Sequence, residues 1–434
     1  MVKPNRWRRW LIAFVALALV AAACGGESGD DDDGAAEEGE GTEEAAAPEP
    51  VPGFDGETIR LGVVTPTSGI VAVIGEPLTN GNRAYWEYVN EELGGVAGQY
   101  PVELVIRDSA YEAPTAVQEY NAIKDDVVMF NQLLGTPIVN ALLEQLQADN
   151  VVAQPATLDS FWVREQNLVP IGAPYQIQSI NGVHWYVTEG GGSEDSAICT
   201  LRQDDPYGEA GQEGVDFALE ELGIELTEEV TFPAGNPDFT AQISQLQGAG
   251  CEMVWLTSTP TDTGNALGKA AELGYAPQWM AQSPTWIGLF VESELLPYLE
   301  ENFIWVSEGP EYGDTSVPGM EELIRIKDTY APDQEPDIYY NFGYYESIAV
   351  HQVLEAAVEM GDLSREGIVE AVNSIDELSF DGLFGDYGWG APEERDPPRA
   401  NSIFEVDAEK PIGLGLIVEE HEAPFAADFE FETE

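Results

Sequence analysis

Short apolar runs alternate with amphipathic segments from residue 58 onwards. Four β-branched runs come first, TIRLGVVT (58–65), VELVIRD (102–108), VVMFN (127–131) and NVVAQP (150–155), and helical patterns lie between them near 76–92, 113–124 and 138–148. Strands that are buried on both faces read as short continuous apolar runs, and helices connect parallel neighbours. The pattern therefore predicts an α/β fold with a parallel sheet covered by helices on both faces.

The same alternation restarts after the segment VPIGAPY (169–175). A helix is predicted near 177–187, followed by strand-like runs at 197–201, 229–232, 252–257, 278–281 and 302–308 with helical patterns between them. Helices near 318–330, 343–360 and 364–373 and a late strand at 413–418 complete the chain. A body of 377 residues, 58–434, is long for one core and natural for two lobes. Repeated crossings between two lobes can act as a hinge.

The first 24 residues have the pattern of an export signal. Four basic residues stand within the first nine positions, Leu11–Val20 is an unbroken apolar run, and three alanines precede Cys24. This predicts a signal peptide over 1–23, because the run is too short to span a bilayer comfortably. Cys24 after small residues resembles a bacterial lipobox, so we expect it to be lipidated, although Ala21 replaces the usual Leu. An ordinary signal peptide is the alternative, and Arg8-Arg9 leaves twin-arginine export open.

The segment that follows the cysteine is acidic. Residues 25–57 contain thirteen acids, no bases and one aromatic residue. Such a composition cannot bury enough apolar surface to order itself, and like charges extend it. We predict that 24–57 is a lipidated cysteine followed by a disordered tether.

The acid excess also belongs to the body of the protein. Residues 58–434 carry 13 Lys and Arg against 67 Asp and Glu, a net charge of −54. Phosphate binding needs clustered basic residues, so the charge argues against nucleic acid and against docking on an anionic membrane surface. Life in high salt and a Glu-rich lineage are two explanations of this composition.

Sequence motifs of enzymes and metal sites are missing. No G-x-G-x-x-G follows the first strand, no G-x-S-x-G occurs, and the three histidines stand in unrelated contexts. We therefore predict no catalysis, no cofactor and no metal site. Beyond Cys24, the pair Cys199 and Cys251 in an exported protein favours a disulfide, with two buried thiols in neighbouring strands as the alternative.

Several motifs, in order, resemble one known family. They are IRLGVVTPTSGIVAVIGEPLTNGNRAYWEYVNEELGGVAG (59–98), ELVIRDSAYEAPTAV (103–117), RQDDPYGEAG (202–211) and FPAGNPDFTAQISQLQGAGCEMVWL (232–256). Over about 58–420 the chain resembles the type 1 periplasmic solute receptors, the leucine/isoleucine/valine-binding family.

The resemblance implies an architecture and a biological setting. It implies two Rossmann-like lobes with parallel doubly wound sheets joined by a three-strand hinge. The lobes would be 58–175 with 308–395 and 176–307 with 396–420, and 421–434 would form an acidic tail. The expected protein is a monomeric receptor, anchored to the outer face of the cytoplasmic membrane, that delivers a small molecule to the permease and ATPase subunits of an ABC importer. A ligand-sensing subunit of a signalling complex is the alternative.

The resemblance also implies a ligand site between the lobes. In the family, hydroxyl residues and backbone of the first lobe hold an amino acid, and the matching positions here are Gly135-Thr136 and Ala156-Thr157, which turn and cap chemistry would equally explain. The other candidates are Ile74, Leu158, Tyr207, Gln282, Ser283 and Trp286, with Tyr339 or Phe342 as a further wall. The loop QSPTWIG (282–288) lacks the acid that the family offers to the ligand ammonium. The resemblance favours an apolar amino acid as the ligand. The missing acid leaves a small amide or carboxylate without an ammonium as the alternative.

Overall fold

The computed structural model describes residues 47–431. The predicted signal peptide, Cys24 and the tether as far as residue 46 lie outside the described residues. Within that range, two open sheets with helices on their faces form the protein, which confirms the predicted α/β class.

The first sheet has four parallel strands in the order β2-β1-β3-β4. These strands are β1 (Ile59–Thr65), β2 (Val102–Asp108), β3 (Met129–Leu134) and β4 (Ala153–Ala156). Three helices connect them, α1 (Ala72–Tyr88), α2 (Ala113–Ile123) and α3 (Thr136–Asp149). Every residue of β3 is buried, as expected for a central strand that is covered on both faces.

The second sheet has seven strands in the order β13-β12-β9-β8-β7-β5-β6. Its parallel part is β5 (Ile198–Gln203), β6 (Glu228–Phe232), β7 (Met253–Thr257), β8 (Gln278–Gln282) and β9 (Phe303–Ser307). The helices on it are α4 (Tyr175–Thr188), α5 (Pro206–Leu222), α6 (Thr240–Ala249), α7 (Pro260–Glu272) and α8 (Leu296–Asn302).

Three further helices return to the first sheet. They are α9 (Met320–Tyr330), α10 (Ile338–Met360) and α11 (Arg365–Ser374), and α10 packs against α1. Helices α1 and α10 approach each other closely because each has a glycine that faces the backbone of the other helix. A Cβ on Gly81 would lie 2.1 Å from the Tyr340 carbonyl oxygen, and one on Gly343 would lie 2.0 Å from the Leu78 carbonyl oxygen. We call the first sheet with α1–α3 and α9–α11 the first lobe, and the second sheet with α4–α8 the second lobe.

The chain passes between the lobes three times. The crossings follow β4, β9 and the short hairpin of β10 (Glu377–Leu378) and β11 (Tyr387–Gly388). After the third crossing, β12 (Asn401–Val406) runs antiparallel to β9, and β13 (Leu414–His421) runs antiparallel to β12. The second sheet therefore has the predicted parallel part, β5 to β9, and an antiparallel edge formed by β12 and β13. A connection as short as that between β12 and β13 can join only antiparallel neighbours.

Helix α10 begins earlier than the predicted residue 343. The Asp337 carboxylate accepts the N–H groups of Tyr339, at 2.7 Å, and Tyr340, at 3.2 Å, and so caps the helix at its true start. The aromatic residues of the first turn weaken the helical pattern there, although capping and packing on α1 decide the conformation. This extra turn carries Tyr339, which matters for the ligand site below.

Both ends of the described chain pack against the body. Residues 48–57, which we predicted as part of the disordered tether, form bridges from Phe54 to Val51 and Ile59, and the Phe54 ring lies 5.2 Å from that of Tyr100. That part of the prediction was wrong, because one aromatic residue is enough to hold a short segment in the core. The end of the chain is held by Arg399, whose guanidinium lies 4.4 Å from the Phe431 ring.

Cys199 and Cys251 form a disulfide in the second lobe, with 5.8 Å between their Cα atoms. Cys199 lies in β5, whereas Cys251 lies in the turn between α6 and β7. The turn brings Cys251 back beside β5, so the offset along the two strands does not prevent a bridge. None of the helices between residues 47 and 431 is both long and apolar enough to span a bilayer.

Candidate ligand site

A cavity lies between the lobes, where the strands of both sheets have their carboxyl ends. The space open to the centres of water molecules is about 110 Å³. One ordered water needs roughly 10–15 Å³ on this measure, so the cavity has room for a small ligand. Both lobes contribute to its wall, mostly through apolar and aromatic side chains. Open α/β sheets commonly bind ligands at this edge.

Two threonines of the first lobe form one polar part of the wall. Thr136 follows β3 and Thr157 follows the neighbouring strand β4, which places their Oγ1 atoms 2.6 Å apart. The Thr157 hydroxyl also lies 3.3 Å from the Tyr175 hydroxyl. Burial raises the pKa of Tyr175 to about 12, so its phenol keeps its proton. We call Thr136, Thr157 and Tyr175 the hydroxyl cluster.

The hydroxyl cluster stands at the amino end of α3. Thr136 is the first residue of this helix, and Gly135 before it has φ 110°, a conformation that favours glycine. A Cβ at Gly135 would lie 2.6 Å from the ring of Tyr111. In the first turn of α3, Pro137 has no N–H. The N–H groups of Ile138 and Val139 donate to the Gly135 carbonyl oxygen, so Thr136 supplies the remaining backbone donor. The amino end of a helix also carries the positive end of the helix dipole. The cluster therefore offers donors and a favourable potential to an anionic group.

The second lobe faces the cluster with Tyr207. The Asp205 carboxylate caps α5 by accepting the Gly208 N–H at 3.0 Å, and Pro206 occupies the first helical turn. This local geometry directs Tyr207 into the cavity, where its ring centroid lies 5.0 Å from that of Tyr175. Its hydroxyl donates to the Ser283 carbonyl oxygen at 2.9 Å. The motif RQDDPYGEAG thus builds the second-lobe wall.

Direct hydrogen bonds join the two lobes beside the cavity. The Tyr339 hydroxyl on α10 lies 2.8 Å from the Pro284 carbonyl oxygen and 2.6 Å from that of Trp286. The Thr261 hydroxyl donates to the Ile70 carbonyl oxygen at 3.1 Å. The lobes are therefore closed over the cavity in this structure.

The structure brings seven of the nine predicted ligand-binding residues into the cavity wall: Ile74, Thr136, Ala156, Thr157, Leu158, Tyr207 and Ser283. Tyr339 and Phe342, named as a further wall, also line it.

Gln282 and Trp286 do not line the cavity. The Gln282 amide oxygen accepts from the Ser179 hydroxyl at 2.7 Å and from the Trp255 indole at 3.1 Å, inside the second lobe. The Trp286 indole donates to the Ile412 carbonyl oxygen at 3.0 Å. Successive residues of a strand point to opposite faces, so Ser283 faces the cavity while Gln282 points away from it.

Sequence reasoning missed one acid in the wall, Glu308. It follows β9, and its carboxylate accepts the N–H groups of Ala173 and, at 2.7 Å, Gly385. Burial raises the pKa of Glu308 to about 7. In the sequence, Glu308 can be recognised only as an acid at the end of the apolar run NFIWVSE. Acids are so frequent in this chain that a single one does not indicate a site.

No basic side chain lines the cavity in the part of the chain that the structure describes. The same part contains no group of three or more His, Cys, Asp or Glu side chains that could hold a metal ion. Recognition in this cavity would therefore depend on hydroxyls, backbone N–H groups, aromatic rings and one carboxylate.

Comparisons with known proteins agree with this geometry. A family described as periplasmic binding protein matches residues 58–411. The Leu/Ile/Val-binding protein homolog 7 of Brucella abortus is 22% identical over 358 residues, which cover 80% of this chain and 88% of that protein.

Two solved structures share the fold. A fatty acid ABC transporter substrate-binding protein from Thermomonospora curvata has a TM-score of 0.82 at 24% identity, covering 89% of this chain and 97% of that one. A branched chain amino acid ABC transporter protein from Thermus thermophilus with bound valine has a TM-score of 0.73 at 17% identity, covering 86% and 98%.

Proposed function

Because the chain belongs to the periplasmic binding protein family, we propose that it is the extracytoplasmic solute receptor of an ABC importer, held at the outer face of the membrane by a lipid on Cys24. The family consists of solute-binding proteins and not of enzymes. In this role the receptor captures a small molecule between its lobes and presents it to the permease, whose ATPase drives import. The three crossings between the lobes serve as the hinge.

We assign the ligand class from the hydroxyl cluster, which lies among mainly apolar and aromatic side chains. A carboxylate at Thr136 and Thr157 would meet donors and the positive end of α3. The rest of the ligand would contact Ile74, Leu158 and Tyr207, which are apolar or aromatic. We therefore favour an apolar amino acid, the ligand class named for the Brucella and Thermus relatives.

A carboxylate without an ammonium is the second candidate. The loop 282–288 contains no acid, and the cavity continues past the hydroxyl cluster to Trp305, Tyr312 and Phe404. This continuation would suit a longer apolar chain, and the Thermomonospora protein is described as a fatty acid receptor. A sensing subunit of a signalling complex would use the same site. A permease gene beside that of the receptor would favour import.

Calorimetry with leucine, valine, their amides, their deaminated acids and hexanoate tests the ligand class. Thr157→Ala should weaken the best ligand by roughly 10-fold or more, since a hydrogen bond to a charged group contributes about 1.5–3 kcal/mol. Thr263→Ala is the matched control, because Thr263 is a buried threonine of the second lobe that is bonded to Ser258 and lies outside the cavity wall. Unchanged affinity in Thr157→Ala would show that the site is wrongly assigned.

The anchor has its own test. Replacing Cys24 with Ser should release the receptor from the membrane fraction of cells, because no acyl chain can then be attached. Fractionation followed by immunoblotting measures this. Equal membrane partitioning of Cys24→Ser and the wild type would reject the lipid anchor.

A further inference from the structure

We propose that Glu308 is a second anchor in the cavity and that it selects ligands carrying an ammonium or another strong N–H donor at the end that faces the interlobe crossings. The inference rests on the proposed receptor function and deepens it, because it identifies which group the ligand must carry besides a carboxylate.

The Glu308 carboxylate is held by the first crossing and by the loop of the β10–β11 hairpin. It belongs to the second crossing, directly after β9, and accepts N–H groups from Ala173 in the first crossing and from Gly385 in the hairpin loop. A Cβ on Gly385 would lie 2.4 Å from its Oε1 atom, so the hairpin loop packs closely against the carboxylate. Each carboxylate oxygen can accept two hydrogen bonds. One acceptor position on each oxygen therefore remains for a ligand.

The charge of Glu308 has no partner within the described residues. None of the ion pairs between residues 47 and 431 includes it, and no basic side chain lines the cavity. A carboxylate that is buried without a cation is strongly disfavoured, which is consistent with its raised pKa of about 7. A ligand ammonium would supply the missing charge.

Aromatic rings surround this end of the cavity. Phe384 and Glu308 both lie beside Gly172. A Cβ added to Gly172 would be 2.4 Å from a Phe384 ring carbon and 3.0 Å from the Glu308 Oε2 atom, so the ring and the carboxylate are neighbours. The Phe384 ring stacks on Tyr345 with centroids 5.1 Å apart. Aromatic faces attract cations, and the attraction is larger where water is excluded. Rings beside a carboxylate form a suitable environment for an ammonium.

Two more buried polar atoms in the same wall are without partners. Among the described residues, neither the Asn341 Oδ1 atom nor the Trp305 Nε1 atom has a hydrogen-bond partner, and both residues line the cavity. Helix α10 lines the cavity from Ile338 to Tyr345, a distance of about 10 Å along its axis. In this proposal the hydroxyl cluster holds the ligand carboxylate and Glu308 holds the ligand ammonium.

Matched ligand pairs test the inference. Leucine is compared with 4-methylpentanoate, and 6-aminohexanoate with hexanoate, so that each pair differs only in its amine. In calorimetry, the wild type should bind the amine member of at least one pair about 10-fold or more tightly. Glu308→Gln should bring this ratio close to one while the deaminated member keeps its affinity. Asp337→Asn is the control, because Asp337 is a partly buried acid whose pKa is also raised, and it caps α10 from outside the cavity wall.

Three results would overturn the inference. They are a ratio near one in the wild type, a ratio that survives Glu308→Gln, and an equal loss of affinity for both members of the pair, which indicates a structural role only. If the wild type binds none of the four probes, the proposed carboxylate receptor fails, and the inference fails with it.

The wild type alone provides a second readout if Glu308→Gln does not fold. The amine-to-deaminated affinity ratio should rise between pH 6 and 8 as Glu308 ionises and then level off. The titratable groups that face Glu308 are Tyr345 on α10 and Tyr387 on β11, and burial raises the pKa of both, so neither titrates in this range. A ratio that is constant over pH 6–8 counts against the inference.

Discussion

Tyr339 connects the two lobes through a single hydroxyl. Its replacement by Phe keeps the ring but leaves the Pro284 and Trp286 carbonyls without this donor. Leaving a buried acceptor without its partner costs about 1–3 kcal/mol. Because this hydrogen bond joins the two lobes, its loss destabilises the closed state relative to the open one. We expect Tyr339→Phe to weaken ligand binding roughly 5-fold or more, mainly through faster dissociation.

Stopped-flow dissociation kinetics measure the effect of Tyr339→Phe. Tyr330→Phe is the control, since the Tyr330 hydroxyl bonds to the Glu92 carboxylate at 3.1 Å within the first lobe. A dissociation rate for Tyr339→Phe equal to that of Tyr330→Phe would contradict a role in closure.

Strand ends explain which cavity residues could be found from the sequence. Thr136, Thr157 and Ser283 were named because they match positions of the family, and all three lie just after strands, at the edge where parallel sheets bind ligands. Gln282 was misplaced by one residue, which is enough to turn a side chain to the other face. Glu308 was missed because acids are frequent in this chain, and its lack of a cationic partner among the described residues is visible only in three dimensions.

At the scale of elements, the disulfide joins β5 to the start of β7. In the chain-entropy account, closing a loop of 52 residues contributes roughly 4 kcal/mol to the free energy of unfolding. We expect Cys251→Ser to lower the melting temperature by several degrees, and dithiothreitol to lower that of the wild type similarly. The double Ser variant should not respond to dithiothreitol. Alkylation of two thiols in the unreduced wild type, seen by intact-mass analysis, would refute the bridge.

The sequence predicted the parallel part of the sheets well and their edge poorly. Apolar runs such as VELVIRD and EMVWLT are bounded by helices, which dictate parallel neighbours. The segment of β12, NSIFEV, has a charged residue in place of a continuous apolar run, and its direction depends on where the third crossing delivers it. Strand direction after a long-range crossing is not encoded in local periodicity.

At the scale of the whole molecule, buried acids should make stability depend on pH. Burial raises the pKa of Glu308 to about 7 and those of Asp159 and Asp337 to about 6, although all three would ionise near pH 4 in the unfolded chain. Between these values the folded protein holds more protons than the unfolded chain, so stability falls as pH rises from about 4 to about 7.

Other acids set the lower limit of that window. Hydrogen bonds from Ser68 and from backbone N–H groups outweigh burial and lower the pKa of Asp108, and those from Lys124 and Tyr120 do the same for Asp149. These two contribute stability above their unfolded pKa and lose it as pH falls further. Calorimetric scans should therefore show the highest melting temperature near pH 4, where neither group of acids has lost its contribution.

Measurements in salt separate two causes of this pH dependence, which are the burial of individual acids and the general repulsion among all acids. The excess of 67 acids over 13 bases in residues 58–434 also disfavours high pH through general repulsion. Repulsion is screened at 1 M NaCl, where the Debye length is about 3 Å, whereas the desolvation of buried acids persists. A melting temperature that becomes independent of pH in 1 M NaCl would contradict the role of the buried acids.

The closed lobes have a practical consequence for anyone who purifies the receptor. A solute enclosed between lobes that are joined by hydrogen bonds leaves only when they separate, so opening rather than diffusion sets its residence time. Receptor expressed in cells should therefore carry its physiological cargo through chromatography. Mass spectrometry of the small molecules released on denaturation, with Tyr339→Phe as a variant expected to retain less, would identify that cargo without any candidate list.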